Sequence, residues 1–178
     1  MLLVIGKNGF ISKNLQSYQF NKKTIFTSIE DINKYNNVDK ILLLTFDKKW
    51  FQKKNYDFQN EKMILDHFGD NVLIQYFSTS KVYENKLNLK ETDKIMPQSI
   101  YAENKVLAEE FIKKNFLNYQ IFRLTNIIST KGGSKNTFFD TFFDNLKKNI
   151  FKFDISLSSK KDFVSMDFIY RALNINNN

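Results

Sequence analysis

The sequence predicts an α/β fold, a doubly wound parallel sheet with helices on both faces. Three observations predict it. Short continuous apolar runs have strand length, segments of helical period lie between them, and a glycine-bearing turn follows the first run directly. A chain of 178 residues suggests one domain with a small appendage. Hydrophobic residues at 42% and aromatics at 16%, with 19 Phe, supply a packed core and argue against a disordered chain.

The elements follow in order. Leu2 to Ile5 is apolar throughout and ends at Gly6, which suits a strand buried on both faces. Phe10 to Tyr18 carries Ile11, Leu15 and Tyr18 at helical spacing. Thr24 to Thr27 reads as a second strand, and Glu30 to Asn36 as a polar turn or short helix. Lys40 to Phe46 is the clearest buried strand, Tyr56 to Phe68 a helix, and Asn71 to Phe77 a strand running into Ser78-Thr79-Ser80. A loop with Pro97 leads into a helix from Ile100 to Asn115, then a strand from Tyr119 to Leu124. Lys131 to Ser134 reads as a flexible loop, Thr137 to Lys148 as an aromatic-rich helix, Asp162 to Met166 as a last short strand, and Asn174 to Asn178 as a frayed tail.

Composition excludes several functions. With no Cys there is no disulfide, thiolate nucleophile or Cys-ligated metal, and the single His67 cannot make a zinc site, so no metal is expected. No stretch approaches the roughly 20 apolar residues of a membrane span, and the first apolar run is too short for a signal peptide. A cytoplasmic protein without a membrane partner is expected. The net charge of +8 comes from scattered lysine pairs such as Lys22-Lys23, Lys113-Lys114 and Lys160-Lys161 rather than one basic stripe. That pattern fits solvated faces and an anionic small molecule better than nucleic acid.

Two segments carry chemistry. Gly6-Lys7-Asn8-Gly9-Phe10-Ile11-Ser12 lies between the first strand and the first helix, where small residues let a backbone turn tightly against a pyrophosphate. Ser12 stands where the last Gly of such a fingerprint would be, at some cost in close packing; an ordinary strand-to-helix turn is the alternative reading. Tyr101 and Lys105 are four apart, early in a predicted helix, and so share a face. An ammonium beside a phenol favours the phenolate, and Lys105 has donors to hold a ribose. Two unrelated surface residues would give the same spacing.

Further segments resemble the extended short-chain dehydrogenase/reductase family of sugar-nucleotide epimerases, dehydratases and 4-keto-reductases. Phe77-Ser78-Thr79-Ser80-Lys81-Val82-Tyr83 is similar to its Ser-Ser/Thr-x-x-Val-Tyr-Gly segment, and Pro97-Gln98-Ser99-Ile100-Tyr101 with Lys105 to Glu109 to its Pro-x-Ser-x-Tyr-x-x-x-Lys…Glu stretch. Phe122-Arg123-Leu124-Thr125-Asn126 resembles its Leu-Arg-x-x-Asn, and Lys161 to Asp167 its Arg-Asp-Phe-Val-x-Val-Asp, with Lys161 in place of Arg. The resemblance implies a Rossmann-like sheet with a truncated C-terminal substrate lobe: a dinucleotide-binding domain over residues 1–128 and a reduced substrate-binding extension over 129–178. The segment between Thr27 and Lys40 is short enough that one strand-helix unit of the family is missing.

The same resemblance implies roles. Thr79 would hydrogen-bond the reacting oxygen, Tyr101 would pass the proton, and Lys105 would depress its pKa and bind the nicotinamide ribose. Gly6, Asn8, Gly9, Phe10 and Ile11 would line the pyrophosphate, with Ser28, Leu44, Thr45 and Leu124 completing the cofactor site. Ser80, Lys81, Asn126 and Lys161 would meet a nucleotide-diphosphate sugar. An NADP- or NAD-dependent 4-keto-reductase or C4 epimerase is the leading expectation, because the place after Thr79 that holds an acid in the dehydratases holds Ser80-Lys81. A non-catalytic dinucleotide- or sugar-nucleotide-binding subunit is the alternative. The second strand ends at Thr27-Ser28 with no carboxylate, which favours NADP(H), with Ser28 as a donor to the 2′-phosphate and Lys22 or Lys23 adding charge. The resemblance also implies a homodimer paired through the helix of Tyr101 and the one before it. Ala102, Val106, Ala108, Phe111 and Ile112 offer apolar surface for such a pairing.

Overall fold

The computed structural model describes residues 1–20, 22–45, 48–52, 57–86, 88–129, 138–150 and 160–174. Cα packing divides the chain into two units, Met1–Thr125 and Asn126–Asn178. Lys131 to Ser134 and the last four residues lie outside the described set.

The first unit is built on a five-stranded parallel sheet. Its strands are β1 (Leu2–Ile5), β2 (Thr24–Thr27), β3 (Lys40–Leu43), β4 (Leu73–Thr79) and β5 (Tyr119–Leu124), in the order β2-β1-β3-β4-β5. β1 and β3 are buried at every residue, which is why β1 and residues 41–43 of β3 are continuously apolar rather than alternating, with Lys40 opening β3. On the far side of β1 the sheet ends at β2, and a six-residue 3-10 turn, Ile29–Lys34, follows β2 on the way to β3.

Three helices pack this sheet: α1 (Phe10–Leu15), α2 (Gln59–Phe68) and α3 (Ile100–Asn115). α3 starts where the sequence places it. Pro97 precedes it, and the Ser99 hydroxyl accepts from the Ala102 amide at 3.2 Å as its N-cap. Ile64, Ala108, Ile112 and Phe116 meet Leu3, Ile5, Ile41, Leu43, Ile74 and Tyr76 in one core. Ala102, Ala108 and Ile112 are fully buried within this unit, and Phe111 stacks on Phe58 at 5.2 Å. Most of the apolar surface that argued for a dimer is thus used inside the protomer, which removes the stated reason for that expectation.

The second unit holds β6 (Asn126–Ile128) paired in parallel with β7 (Phe163–Ser165), together with α4 (Phe138–Lys147) and α5 (Met166–Asn174). The Ser165 hydroxyl accepts from the Phe168 amide at 3.1 Å and caps α5.

Candidate active site

The order β2-β1-β3 makes β1 and β3 a topological switch point. The chain leaves β1 for β2 on one side and returns to β3 on the other, which opens a crevice beyond their carboxyl ends. Residues 6–11 occupy it. Gly6 has φ +108°, and a Cβ there would stand 2.9 Å from the Leu44 carbonyl carbon and 3.2 Å from the Thr45 nitrogen. Only glycine fits, for both backbone conformation and space. The Gly6 and Lys7 amides donate to the Thr27 carbonyl at 2.9 and 3.0 Å, and the Gly9 amide donates back to Gly6 at 3.1 Å. Asn8 is exposed, with Gly9, Phe10 and Ile11 partly so. Ser12 is wholly buried and its hydroxyl has no hydrogen-bond partner among the described residues, at a cost of about 1–3 kcal/mol.

At the end of β2 the structure corrects the sequence reading. The Ser28 hydroxyl donates to Asp31 Oδ2 at 2.9 Å, so its proton is already engaged. The 3-10 turn brings Asp31 back to the strand end, 3.7 Å from the Lys7 ammonium and 2.6 Å from that of Lys34. Hydrogen bonds from Lys34 and Ser28 hold this carboxyl below its ordinary pKa. Lys22 and Lys23 precede β2 and so lie at its opposite end. A carboxylate, paired with two cations, therefore stands where the sequence suggested none.

Thr79 and Leu124 are register partners at the carboxyl ends of β4 and β5. Thr79 Oγ1 accepts from the Lys81 amide at 3.3 Å and caps a 3-10 turn, Ser80–Val82, leaving its own proton to donate. Ser80 is partly exposed and Lys81 exposed on that turn.

Tyr101 and Lys105 lie on α3, but their relation differs from expectation. Lys105 Nζ turns inward, donating to the Phe77 carbonyl at 2.8 Å and the Tyr76 hydroxyl at 3.1 Å. It lies 4.6 Å from the ring centre of Trp50 and 5.9 Å from that of Tyr101. Burial pushes the lysine down to about 7, against upward pulls from Glu61 and Glu109. Burial pushes the phenol of Tyr101 up, the reverse of the shift that a neighbouring ammonium was expected to give. Phe51, 57% exposed, stacks on the Tyr101 ring at 5.1 Å. The Asn104 amide holds the segment carrying Trp50 and Phe51 by donating to the Trp50 carbonyl at 3.0 Å.

Sequence reasoning assigned no role to a second cluster. Glu109, 1% exposed, takes both the Nε and NH2 groups of Arg123, at 3.0 and 2.6 Å. Arg123 NH1 also donates to the Tyr83 hydroxyl, which donates to the Glu91 carbonyl at 3.3 Å. This network ties α3, β5 and the segment after β4 together. Its one signal in the sequence was Arg123 between the apolar residues Phe122 and Leu124; Glu109 stands among other charged residues of α3 and gave none. In the second unit, Asn126 and Lys161 are both exposed, and the Asn126 amide donates to the Asp162 carbonyl at 3.1 Å.

Among the described residues no group of three or more His, Asp or Glu could hold a metal ion, and no helix is long and apolar enough to cross a membrane.

No family profile and no curated protein matches this chain. Solved structures do. A dTDP-4-dehydrorhamnose reductase from Clostridium acetobutylicum is 22% identical with TM-score 0.75, over 97% of this chain and 68% of its own. RMD from Pseudomonas aeruginosa, complexed with NADPH, is 19% identical with TM-score 0.71, over 97% and 70%. A UDP-glucuronic acid 4-epimerase from Bacillus cereus, bound to UDP-glucuronic acid and NAD, is 19% identical with TM-score 0.72, over 98% and 73%. At these identities the likeness establishes the fold: the chain is a Rossmann-like α/β protein spanning about seven-tenths of those three chains.

Proposed function

We propose that this protein is an NADP- or NAD-dependent oxidoreductase of the extended short-chain dehydrogenase/reductase type, acting on a nucleotide-diphosphate sugar as a 4-keto-reductase. The observation that carries the reading is the crevice at the switch point. Gly6 there leaves free the one position where any side chain would close the turn, and α3 of the same unit carries Tyr101 and Lys105. The solved structures with NADPH or NAD bound share this fold and support the same cofactor class.

The residues present fit a dinucleotide. Gly6, Asn8, Gly9, Phe10 and Ile11 would hold the pyrophosphate, Leu44 and Thr45 the floor, and Leu124 the nicotinamide side. When bound, the nicotinamide supplies the hydride. Thr79 would donate a hydrogen bond to the sugar carbonyl oxygen. Tyr101 would give that oxygen its proton, as a phenol that burial keeps in its protonated form. Reduction needs only the hydride and this one proton, which favours it over epimerisation. Lys105 would place positive charge behind the phenol and hold the ribose. Ser80 and Lys81 would meet the substrate's phosphates and sugar. With Asp31 at the end of β2 balanced by Lys7 and Lys34, discrimination between NADPH and NADH would be small.

Turnover of NADPH or NADH with a panel of 4-keto nucleotide sugars tests the proposal, with Tyr101→Phe as the control. The variant is expected to bind cofactor and lose more than nine-tenths of activity. Retention of activity would refute the role of Tyr101. A homodimer remains part of the proposal, through Met63 on α2, which is exposed, and Val106 and Leu107 on α3, which are partly so. Light scattering that shows a monomer at micromolar concentration would remove it.

A further inference from the structure

Phe51 closes the 3-10 turn Lys48–Phe51, and most of its side chain is exposed. A lone exposed aromatic is ordinary on a protein surface. This one is held in place. Its ring lies over that of Tyr101, with centroids 5.1 Å apart and planes inclined by 21°, the geometry of a stacked pair.

The turn that carries Phe51 is pinned by α3 itself. Trp50, the residue before Phe51, is buried, and its ring lies 4.6 Å from the Lys105 ammonium. The Trp50 carbonyl accepts from the side-chain amide of Asn104, which is wholly buried, at 3.0 Å. Asn104 and Lys105 follow Tyr101 by three and four residues, so the three share one face of α3. The helix that carries the phenol therefore also anchors the turn that covers it. Tyr101 packs against the core of the sheet as well, so its ring has the core on one hand and Phe51 on another. A phenol that hands its proton to one oxygen gains from a fixed ring, whose hydroxyl then stays in one place, and from a covered one, because water is a competing acceptor.

We propose that Phe51 is a positioning residue: its ring clamps the Tyr101 phenol against the core, fixing its direction and keeping water from it. This rests on the reading of Tyr101 as the proton donor. Phe51 acts through Tyr101 and needs no contact of its own with substrate. Its cover adds to the burial that keeps the phenol protonated.

Two variants test this at a position exposed enough for the fold to survive: Phe51→Ala removes the cover, and Phe51→Tyr keeps a ring. In the cofactor-free protein, NMR with a soluble gadolinium chelate reads how far solvent reaches the Tyr101 ring, whose resonances are assigned by their absence in Tyr101→Phe. Relaxation of those ring protons is expected to rise about twofold or more in Phe51→Ala and to stay near native in Phe51→Tyr. With the dinucleotide and 4-keto nucleotide sugar that the panel identifies, Phe51→Ala is expected to lose about tenfold in kcat while KM for the sugar nucleotide moves by less than about twofold, and Phe51→Tyr to keep kcat near native. Phe51→Leu carries the expectations of Phe51→Ala should that variant fold poorly. Native relaxation of the Tyr101 ring in the variant without the aromatic overturns the proposal. So does a native kcat there, a loss that Phe51→Tyr shares, or a loss confined to KM, which would make Phe51 a substrate contact. Because the NMR readout needs neither cofactor nor substrate, a Tyr101 ring that Phe51 shields in a protein without turnover would refute the proposed reaction while leaving the clamp intact.

Discussion

Lys105 makes stability and activity move in opposite directions with pH. Its pKa is about 7 in the folded protein and 10.5 as the ordinary value. Between these values the unfolded chain holds a proton that the folded protein has released. Stability therefore rises with pH across this window, by up to about 1.4 kcal/mol per unit. From roughly pH 7.5 to pH 9.5 the gain from this one group is about 2 kcal/mol, or about 4–8 °C in Tm for a chain of this size. Lys105→Met removes the titrating group, so the difference between native and variant curves isolates it from the other lysines and tyrosines. Urea unfolding followed by the fluorescence of Trp50, the only tryptophan, reads it directly. Over the same window turnover should fall, because the site loses its cation. Parallel stability curves for the two proteins would refute the buried-lysine account.

Two further outcomes follow from the site. Glu109→Gln leaves the Arg123 fork without its carboxylate in a nearly buried network, and should cost about 2–3 kcal/mol in denaturant titration, discounted because Arg123 is partly exposed; a loss below a few tenths would mean that the network is not structural. Asp31→Asn removes the carboxylate at the end of β2 while Lys7 and Lys34 remain, and should shift cofactor preference toward NADPH by about tenfold, or roughly 1.4 kcal/mol, in calorimetric titration. An unchanged preference would place Asp31 away from the ribose.

The sheet was legible because strands buried on both faces read as continuous apolar runs, as in Leu2–Ile5 and residues 41–43, whereas Thr24–Thr27 and Tyr119–Leu124, only partly buried, were read from β-branched and aromatic residues at strand length. α3 was legible from Pro97, Ser99 and its length. α5 was not assigned, although Met166, Ile169 and Leu173 are its buried residues, because an aromatic strand signal at Phe163 and Val164 runs straight into it. At the site, spacing placed Tyr101 and Lys105 on one helix, but spacing cannot say which way a long side chain turns. Lys105 turned inward because Phe77, Tyr76 and Trp50 offered partners that no local pattern announces. Asp31 was missed for a related reason: a 3-10 turn returns a side chain to the strand end within three residues, and sequence position alone read it as lying beyond.

Whether the crevice beyond β1 and β3 holds a nicotinamide dinucleotide is decided by calorimetric titration of the native protein with NADPH and with NADH, beside Gly6→Ala. A methyl group at Gly6 would meet the Leu44 carbonyl carbon at 2.9 Å in a backbone conformation that side chains avoid. Saturable binding of at least one dinucleotide by the native protein is expected, with binding at least about tenfold weaker, a loss of roughly 1.4 kcal/mol, in the variant. A folded native protein that binds neither dinucleotide, or a Gly6→Ala variant that binds as well as the native one, would contradict it.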